Sequence, residues 1–289
     1  MSTLASKIVA IVEASRPLLW LFSITSAFCG MFMAVKGLPP IPLLVIVALG
    51  VGPCITAAIN LFNAVFDVEV DKLSKPNRPL PSGRIGAASV LASSLLLYFF
   101  GLVIAFMLGL VPFLLTLIGI LLSISYSLPW IRIKAKGGLS NFALALGYTT
   151  VCFLGGWSIF RNIQEFPWLI LIFVTLQVAG ANVVKDFVDY EADKKFEIGT
   201  LPVKYGVEKS IVLISPLFVG IYLVIPLFCF LGSLAWRSLP LSLFSLWGFY
   251  ILYSLKRDFS RKNREKAFLQ AFFMSLLTEI ALTTAYVLG

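Results

Sequence analysis

Long apolar segments separated by short polar connections run through the whole chain, and this alternation predicts the fold. A helix needs about 17 to 25 apolar residues to cross a bilayer, and nine segments reach that length. Helices are expected because a backbone that faces lipid must satisfy its own hydrogen bonds. The predicted spans are residues 18–35, 41–66, 87–110, 112–128, 142–160, 168–187, 211–231, 241–255 and 268–288.

Polar residues interrupt this pattern at the end of the second span. Asn60, Asn63, Asp67 and Asp71 follow one another at helical spacing. At about 100° per residue their side chains fall on one face of a helix. Two carboxylates and two amides on one face predict a site for hard cations.

The same polar spacing recurs 122 residues later, at the end of the sixth span. Position 64 breaks the match, because Ala64 in the first segment corresponds to Asp186 in the second. An internal repeat of this kind predicts two related halves, and two carboxylate clusters can hold two metal ions. The matched pairs are Asn60 with Asn182, Asp67 with Asp189, and Asp71 with Asp193.

Composition agrees with a polytopic, all-α membrane protein. Hydrophobic residues make up 59% of the chain, charged residues 13%, and the mean hydropathy is +0.96. The four cysteines lie in apolar runs without paired spacing, so no disulfide framework is expected. The chain has no histidine, which excludes a histidine-ligated zinc or haem site and favours oxygen-bound Mg²⁺ or Mn²⁺.

Positive charge is distributed unevenly between the connecting segments. The N-terminal segment and the loops after the even-numbered spans contain 19 of the 23 Lys and Arg residues, and Lys185 near the end of the sixth span brings the number on that side to 20. The positive-inside rule therefore predicts a multi-pass cell-membrane protein with its N-terminus and both Asp clusters in the cytoplasm and its C-terminus on the opposite side. The net charge of +9 then reflects topology and contact with anionic membrane lipids, and no nucleic-acid partner is expected.

An offset of four spans preserves orientation, so the repeat predicts two parallel four-helix halves within a single domain of residues 1–289. The halves cover about 16–138 and 139–258, and a ninth helix covers about 267–288. Glu279, deep in this ninth span, is a carboxylate far from both clusters. Because an acid inside a membrane is costly, we expect a gating or structural role, or a partner such as Thr278.

Basic residues surround the first cluster and follow the fourth span. Facing carboxylates repel unless a cation lies between them, and Mg²⁺ is commonly shared with substrate phosphates. Lys and Arg side chains nearby can donate to phosphate oxygens, so the site suits a diphosphate headgroup. Arg78 stands out because prolines hold it in a stiff loop, PNRPLPSG. The candidate donors are Lys72, Lys75, Arg78, Arg84, Arg132, Lys134 and Lys136.

Two segments, NAVFDVEVDKLSKPNRPLPSGRI and DFVDYEADKKFEIGTLPVKYG, resemble the two signatures of the UbiA superfamily of intramembrane prenyltransferases. The resemblance includes YSLPWIRIKAKGGLSN after the fourth span and covers essentially the whole chain. It implies two Mg²⁺ ions, with Mn²⁺ as a possible substitute, that bind a polyprenyl diphosphate. Ala64 departs from the family pattern and removes one potential metal ligand, for which Asn60 could compensate.

The resemblance assigns roles to individual residues of this sequence. The catalytic residues it implies are Asp67, Asp71, Asp189, Asp193 and Tyr126. The metal ligands it implies are Asp67, Asp71, Asp186, Asp189 and Asp193. The diphosphate contacts are Asn60, Asn63, Arg78 and Lys134.

The expected reaction is transfer of a polyprenyl group to a lipophilic acceptor with release of diphosphate, as in isoprenoid lipid synthesis. Geranylgeranylglyceryl phosphate, an archaeal ether-lipid precursor, is the preferred acceptor by resemblance. Aromatic acceptors of the 4-hydroxybenzoate, homogentisate or chlorophyllide type are the alternative. A cation-coupled transporter is an alternative of another class, although its site should lie near the bilayer midplane. The sequence leaves prenyl chain length and oligomeric state open.

Overall fold

A computed structural model describes residues 4–289, and within that range the chain is helical with no β-strand. Nine helices of this part are long and apolar enough to cross a membrane, as the hydrophobic pattern predicts. They are α1 (Pro17–Val35), α2 (Ile41–Phe66), α3 (Ala87–Leu108), α4 (Leu110–Ser127), α5 (Gly138–Ser158), α6 (Trp168–Val188), α7 (Val207–Phe230), α8 (Trp236–Arg257) and α9 (Arg261–Leu288).

The start of α9 differs most from the sequence prediction. The other eight helices begin and end within five residues of the predicted positions, whereas α9 begins at Arg261 and not near residue 268. Its first turns are rich in charged residues, so hydropathy alone does not reveal them. The hydroxyl of Ser260 caps this start by accepting a hydrogen bond from the backbone N–H of Asn263 at 3.4 Å.

The backbones of α1 and α5 lie in direct contact. A Cβ atom added at Gly30 would lie 2.0 Å from the carbonyl oxygen of Phe153, and one at Gly156 would lie 2.0 Å from that of Ala27. Small residues at such positions allow helices to approach closely in a membrane, where packing replaces the hydrophobic effect between helices. This contact fixes the first helix of the first half against the first helix of the second half.

A buried acid joins three helices in the middle of the bundle. The hydroxyl of Ser26 in α1 lies 2.9 Å from both carboxylate oxygens of Glu279 in α9, and that of Thr149 in α5 lies 3.4 Å from one of them. The prediction that Thr278 pairs with Glu279 is wrong, because the hydroxyl of Thr278 forms a hydrogen bond with that of Tyr222 at 2.7 Å. The sequence neighbour on a helix points to a different face, so partners on other helices are the ones in reach.

The helices α2 and α6 end in the same unusual way. Each breaks at a matched aspartate, Asp67 with φ −101° and ψ 5°, and Asp189 with φ −90° and ψ 3°. Each then restarts as a short helix, Val68–Ser74 or Tyr190–Lys195, and we call these the first and second tip helices. The continuous polar stripe predicted from helical spacing is therefore interrupted at its third member.

The two tip helices pack against each other at one end of the bundle. Val70 from the first, Ala192 from the second and Ile198 just beyond form a small buried apolar cluster between them. Both Asp clusters therefore lie at the same end of the molecule and beside each other.

Candidate active site between the tip helices

A narrow polar cavity lies where the two tip helices meet. Four of the five predicted metal-binding aspartates line it, two from each half, and Asp186 does not. Asp67 and Asp189 lie at the helix breaks, and Asp71 and Asp193 lie on the buried faces of the tip helices. The charged and polar lining residues are Arg16, Asn63, Asp67, Asp71, Ser74, Lys75, Tyr126, Lys134, Lys185, Asp189 and Asp193.

Ion pairs cross this cavity between distant parts of the chain. The ammonium group of Lys75, just after the first tip helix, lies 2.5 Å from Asp189 of the second half. That of Lys134, in the loop after α4, lies 2.7 Å from Asp67. Both lysines thus approach carboxylates from which they are separated by more than 60 residues.

The other carboxylate of the first cluster contacts two arginines. The guanidinium group of Arg78 lies 2.7 Å from Asp71, and that of Arg16 lies 3.8 Å from the same carboxylate oxygen. The proline-rich loop thus brings Arg78 to Asp71 at the edge of the cavity, where the sequence predicts a diphosphate contact. Arg16 comes from the turn before α1 and adopts a left-handed backbone with φ 56°.

The site combines strongly paired and poorly paired carboxylates. Burial would raise the pKa of Asp189, but the charges of Lys75 and Lys185 hold it well below its usual value. Burial raises the pKa of Asp193 to about 7, although Lys134 acts in the opposite direction. Burial lowers the pKa of Lys75 to about 8, despite the opposing charge of Asp189.

The carboxylates suit Mg²⁺ in chemistry, although lysine and arginine side chains stand against them here. Among residues 4–289 no three acidic, histidine or cysteine side chains are grouped as a preformed metal site. One buried oxygen, Oδ2 of Asp186, has no hydrogen-bond partner, and residue Asp193 is only 2% exposed. Buried acceptors of this kind are satisfied by a hard cation, so the residues present fit the ion that the resemblance implies.

The two asparagines of the first segment have different surroundings. Asn60 is almost fully buried, donates to the carbonyl of Ser15 at 2.9 Å and accepts from the hydroxyl of Tyr148 at 3.2 Å. It therefore braces the turn before α1, and its predicted compensating role as a ligand is not what its contacts favour. Asn63 accepts from the hydroxyl of Ser127 at 2.9 Å and lines the polar cavity.

Ala64 does not face the cavity. It lies in a buried apolar cluster with Ala10 and Ala14 of the N-terminal helix Leu4–Ala14 and with Leu61 of α2. Ala64 therefore packs against the N-terminal helix, whereas the corresponding residue of the second half is Asp186. The two halves differ here because an extra helix covers only the first.

A wider cavity of about 320 Å³ continues from the polar one into the bundle. It shares Lys75, Asp189 and Tyr126 with the polar cavity, and it is bordered by α1, α5, α6 and α9. Its deeper wall is largely apolar, as suits a hydrocarbon tail. The wall includes Leu19, Phe22, Val178, Ala181, Phe268 and Phe272.

Sequence reasoning missed three residues of the site. Arg16 and Lys185 line both cavities, and Tyr148 lines the wider one. Lys185 had a usable signal, since a lysine inside an apolar span next to Asp186 is costly without a function. Tyr148 had none, because its position depends on a π-helical segment of α5, Leu146–Thr150.

Several predicted phosphate donors lie away from the site. Lys72 pairs with Glu69 at 2.7 Å and Arg84 pairs with Glu13 at 2.7 Å, all four side chains being largely exposed. Arg132 and Lys136 line neither cavity. Charge near the motif in sequence thus overestimates the number of donors, because the loop turns some side chains outward.

Comparison with known proteins gives three kinds of match. The model of the UbiA prenyltransferase family matches residues 23–277. A digeranylgeranylglyceryl phosphate synthase of Sulfolobus acidocaldarius is 37% identical over 217 residues, which cover 73% of this chain and 74% of that protein. A chloroplastic chlorophyll synthase of Arabidopsis thaliana is 31% identical over 166 residues, which cover 55% of this chain and 43% of that protein.

The third match is structural. A UbiA homologue from Archaeoglobus fulgidus, solved bound to GPP and Mg²⁺, superimposes with a TM-score of 0.73 at 21% identity. The match covers 95% of this chain and 99% of that one. At this identity the likeness establishes a shared fold.

Proposed function

The chain belongs to the UbiA prenyltransferase family and is a membrane prenyltransferase, and we propose that it transfers a polyprenyl group from a polyprenyl diphosphate to a lipid acceptor. The observation that carries this proposal is the meeting of the two tip helices. Their aspartates and the surrounding Lys and Arg side chains line a polar cavity that opens into an apolar one. A diphosphate with a hydrocarbon tail has the same two parts.

Asp67 and Asp71 of the first half and Asp189 and Asp193 of the second, which line the polar cavity, would hold two Mg²⁺ ions. Asp186 remains a proposed fifth ligand, whose side chain would have to turn toward the cavity. Bound there, Mg²⁺ supplies neutralisation of the charge that develops on a departing diphosphate. Carboxylate oxygens bind Mn²⁺ as well, so Mn²⁺ is expected to support the reaction.

The basic side chains bind and orient the diphosphate. Lys75, Arg78 and Lys134 already lie at the cavity, where their N–H groups can donate to phosphate oxygens. As charge grows on these oxygens during cleavage, fixed donors stabilise the transition state more than the substrate.

Apolar walls keep water away from the allylic carbon. Cleavage of the carbon–oxygen bond leaves a carbocation-like C1, which water would convert to the alcohol. Phe22, Phe268 and Phe272 border the wider cavity, and a dry cavity protects the reactive centre until the acceptor oxygen attacks it. Tyr126, at the junction of both cavities, lies where an aromatic ring can stabilise a cation.

We propose geranylgeranylglyceryl phosphate as the acceptor. Relatives named digeranylgeranylglyceryl phosphate synthase support this choice. An aromatic acceptor is the alternative, which the similarity to chlorophyll synthase supports. The transporter alternative has no support in the family match.

A panel of acceptors distinguishes these substrates. Purified protein in lipid is given geranylgeranyl diphosphate, Mg²⁺ and either geranylgeranylglyceryl phosphate, 4-hydroxybenzoate, homogentisate or chlorophyllide, and products are identified by mass spectrometry. We expect a doubly geranylgeranylated glycerol phosphate. A prenylated ring compound as the main product would overturn the choice of acceptor and leave the reaction type intact.

Removal of one carboxylate from each half tests the metal roles. Asp67→Asn and Asp189→Asn should each reduce diphosphate release about 100-fold, since an amide is a poorer cation ligand than a carboxylate. Glu69→Gln is the matched control, because Glu69 lies on the exposed side of the first tip helix and should leave turnover unchanged. Wild-type turnover in both Asp variants would contradict the proposed site.

We also propose that both tip helices face the cytoplasm. The Lys and Arg residues are concentrated in the segments at the end of the bundle that carries the tips, as the positive-inside rule requires of the cytoplasmic face.

A further inference from the structure

The start of α9 contacts both halves of the candidate site, although α9 lies outside the predicted repeat. It follows a loop that is held by hydrogen bonds, since the side-chain amide of Asn263 donates to the carbonyls of Ser254 at 3.0 Å and Asp258 at 2.7 Å. The first turn of α9 is thereby fixed relative to the end of α8. Two arginines on this turn, Arg261 and Arg264, point toward the tip helices.

Arg264 binds residues on both sides of the break between α6 and the second tip helix. Its guanidinium group donates to both carboxylate oxygens of Glu191, at 2.6 and 2.7 Å, and to the backbone carbonyl of Phe187 at 3.0 Å. Phe187 and Glu191 flank Asp189, at which α6 breaks. The guanidinium carbon also lies 4.7 Å from the ring centre of Phe259.

Arg261 binds the first tip helix. Its guanidinium group donates to the backbone carbonyl of Ser74 at 3.0 Å, and Ser74 is the last residue of that helix. Arg261 and Arg264 are three residues apart and therefore lie on one face of α9. One turn of α9 thus contacts the end of the first tip helix and the beginning of the second.

The burial of Arg264 argues for a role beyond stability. Arg264 is only 3% exposed and its Nε has no partner, whereas the Glu191 side chain is 65% exposed. Removing a guanidinium group from water is costly, and a buried ion pair often stabilises a protein less than apolar residues would. The planar, two-pronged geometry of arginine is instead suited to fixing the orientation of its partner.

We propose that Arg264 and Glu191 are positioning residues, which hold the second tip helix in register with the first so that both Asp clusters can act on one diphosphate. Arg261 contributes the corresponding contact to the first tip helix. This inference rests on the proposed function and assigns to α9 the task of setting the spacing between the two clusters. Without the pair, Asp189 and Asp193 should move relative to Asp67.

Binding of Mg²⁺ with inorganic diphosphate, without turnover, tests the proposal. The variants are Glu191→Gln, Arg264→Gln, the double variant and Arg264→Lys, compared with the exposed control Arg257→Gln. We expect each Gln variant to bind about 10-fold more weakly by calorimetry, the double variant to be no worse than either single one, and Arg264→Lys to recover part of the loss. Control binding should stay within twofold of wild type.

A metal-free distance measurement separates this proposal from the proposed function. Spin labels at the exposed positions Leu73→Cys and Lys195→Cys report the separation of the tip helices, with the four native cysteines replaced by alanine. We expect a single narrow distance in the otherwise unchanged protein and a broadened or displaced one with Glu191→Gln. Glu191 is exposed, so this variant should fold even where Arg264→Gln does not.

Each outcome has a definite reading. Wild-type affinity and an unchanged distance in Glu191→Gln would overturn the positioning role while leaving the prenyltransferase site intact. Absence of Mg²⁺ and diphosphate binding in the wild-type protein, together with a broadened distance in the variant, would contradict the proposed site and support the positioning role.

Discussion

At the scale of single residues, the site is defined by ion pairs that connect distant segments. Lys75 and Asp189 are 114 residues apart and lie 2.5 Å from each other. Nothing in either local sequence identifies the other as its partner, since each also fits a solvated helix end. The aspartates themselves could be predicted because their helical spacing repeats, whereas their cationic partners depend on how two loops fold over the tips.

Lys75→Met should weaken binding of the polyprenyl diphosphate. The variant loses a phosphate donor and leaves Asp189 without its closest cation. We expect KM for the diphosphate to rise about 10-fold with a smaller effect on kcat, because the lost contact acts mainly in binding. Steady-state kinetics at fixed acceptor concentration provides the measurement.

Lys72→Met is the control for this prediction. Lys72 lies three residues before Lys75, in the first tip helix, but pairs with exposed Glu69, and exposed pairs contribute little. Both kinetic constants should match those of the wild type. Equal effects of the two substitutions would mean that only the overall charge of this segment matters.

At the scale of helices, hydropathy predicts that a helix exists more reliably than it predicts the residues at which the helix begins and ends. The second span was predicted at both of its ends, because apolar residues stop abruptly there. The predicted start of α9 was wrong by seven residues, because the first turns of this helix are charged. Those turns contain Arg261 and Arg264, so the contacts between α9 and the tips could not be predicted from hydropathy.

Close packing of α1 on α5 gives a prediction with an internal control. Gly30→Ala and Gly156→Ala should each destabilise the protein by about 3 kcal/mol, because the new methyl group would overlap a backbone carbonyl of the facing helix. Gly155→Ala should be tolerated, since nothing lies within 4 Å of an added Cβ there. Thermal unfolding in detergent measures all three.

If Gly155→Ala proved as destabilising as its neighbour Gly156→Ala, the contact between α1 and α5 would not be the cause of the loss, because alanine by itself favours a helix over glycine.

At the scale of the whole molecule, the two ends of the bundle differ in character. At the end opposite the tips, the start of α8 contacts the end of α9. The guanidinium group of Arg237 donates there to the carbonyl of Leu288 at 2.6 Å. Lys36, after α1, lies 5.5 Å from the ring centre of Tyr286 at the same end. Few basic residues lie there, so charge predicts this face to be extracytoplasmic.

Labelling from one side of the membrane tests this orientation. A membrane-impermeant maleimide should modify Lys195→Cys only from the cytoplasmic side and Ser233→Cys only from the opposite side. Lys195 is exposed at the end of the bundle that carries the tips, and Ser233 is exposed at the other end. The native cysteines lie within the helices and are at least partly buried. Modification of both variants from the same side would contradict the proposed topology.

The continuity of the polar and apolar cavities has a consequence for redesign. The head of a substrate is recognised by charged side chains on the tips, while its tail meets walls such as Ala181 and Val178 of α6. These are separate surfaces, so tail preference can be altered by library mutagenesis of the hydrocarbon-facing wall while pyrophosphate recognition stays untouched. An engineer seeking shorter or longer isoprenoid products would begin with the membrane-embedded part and spare the tips.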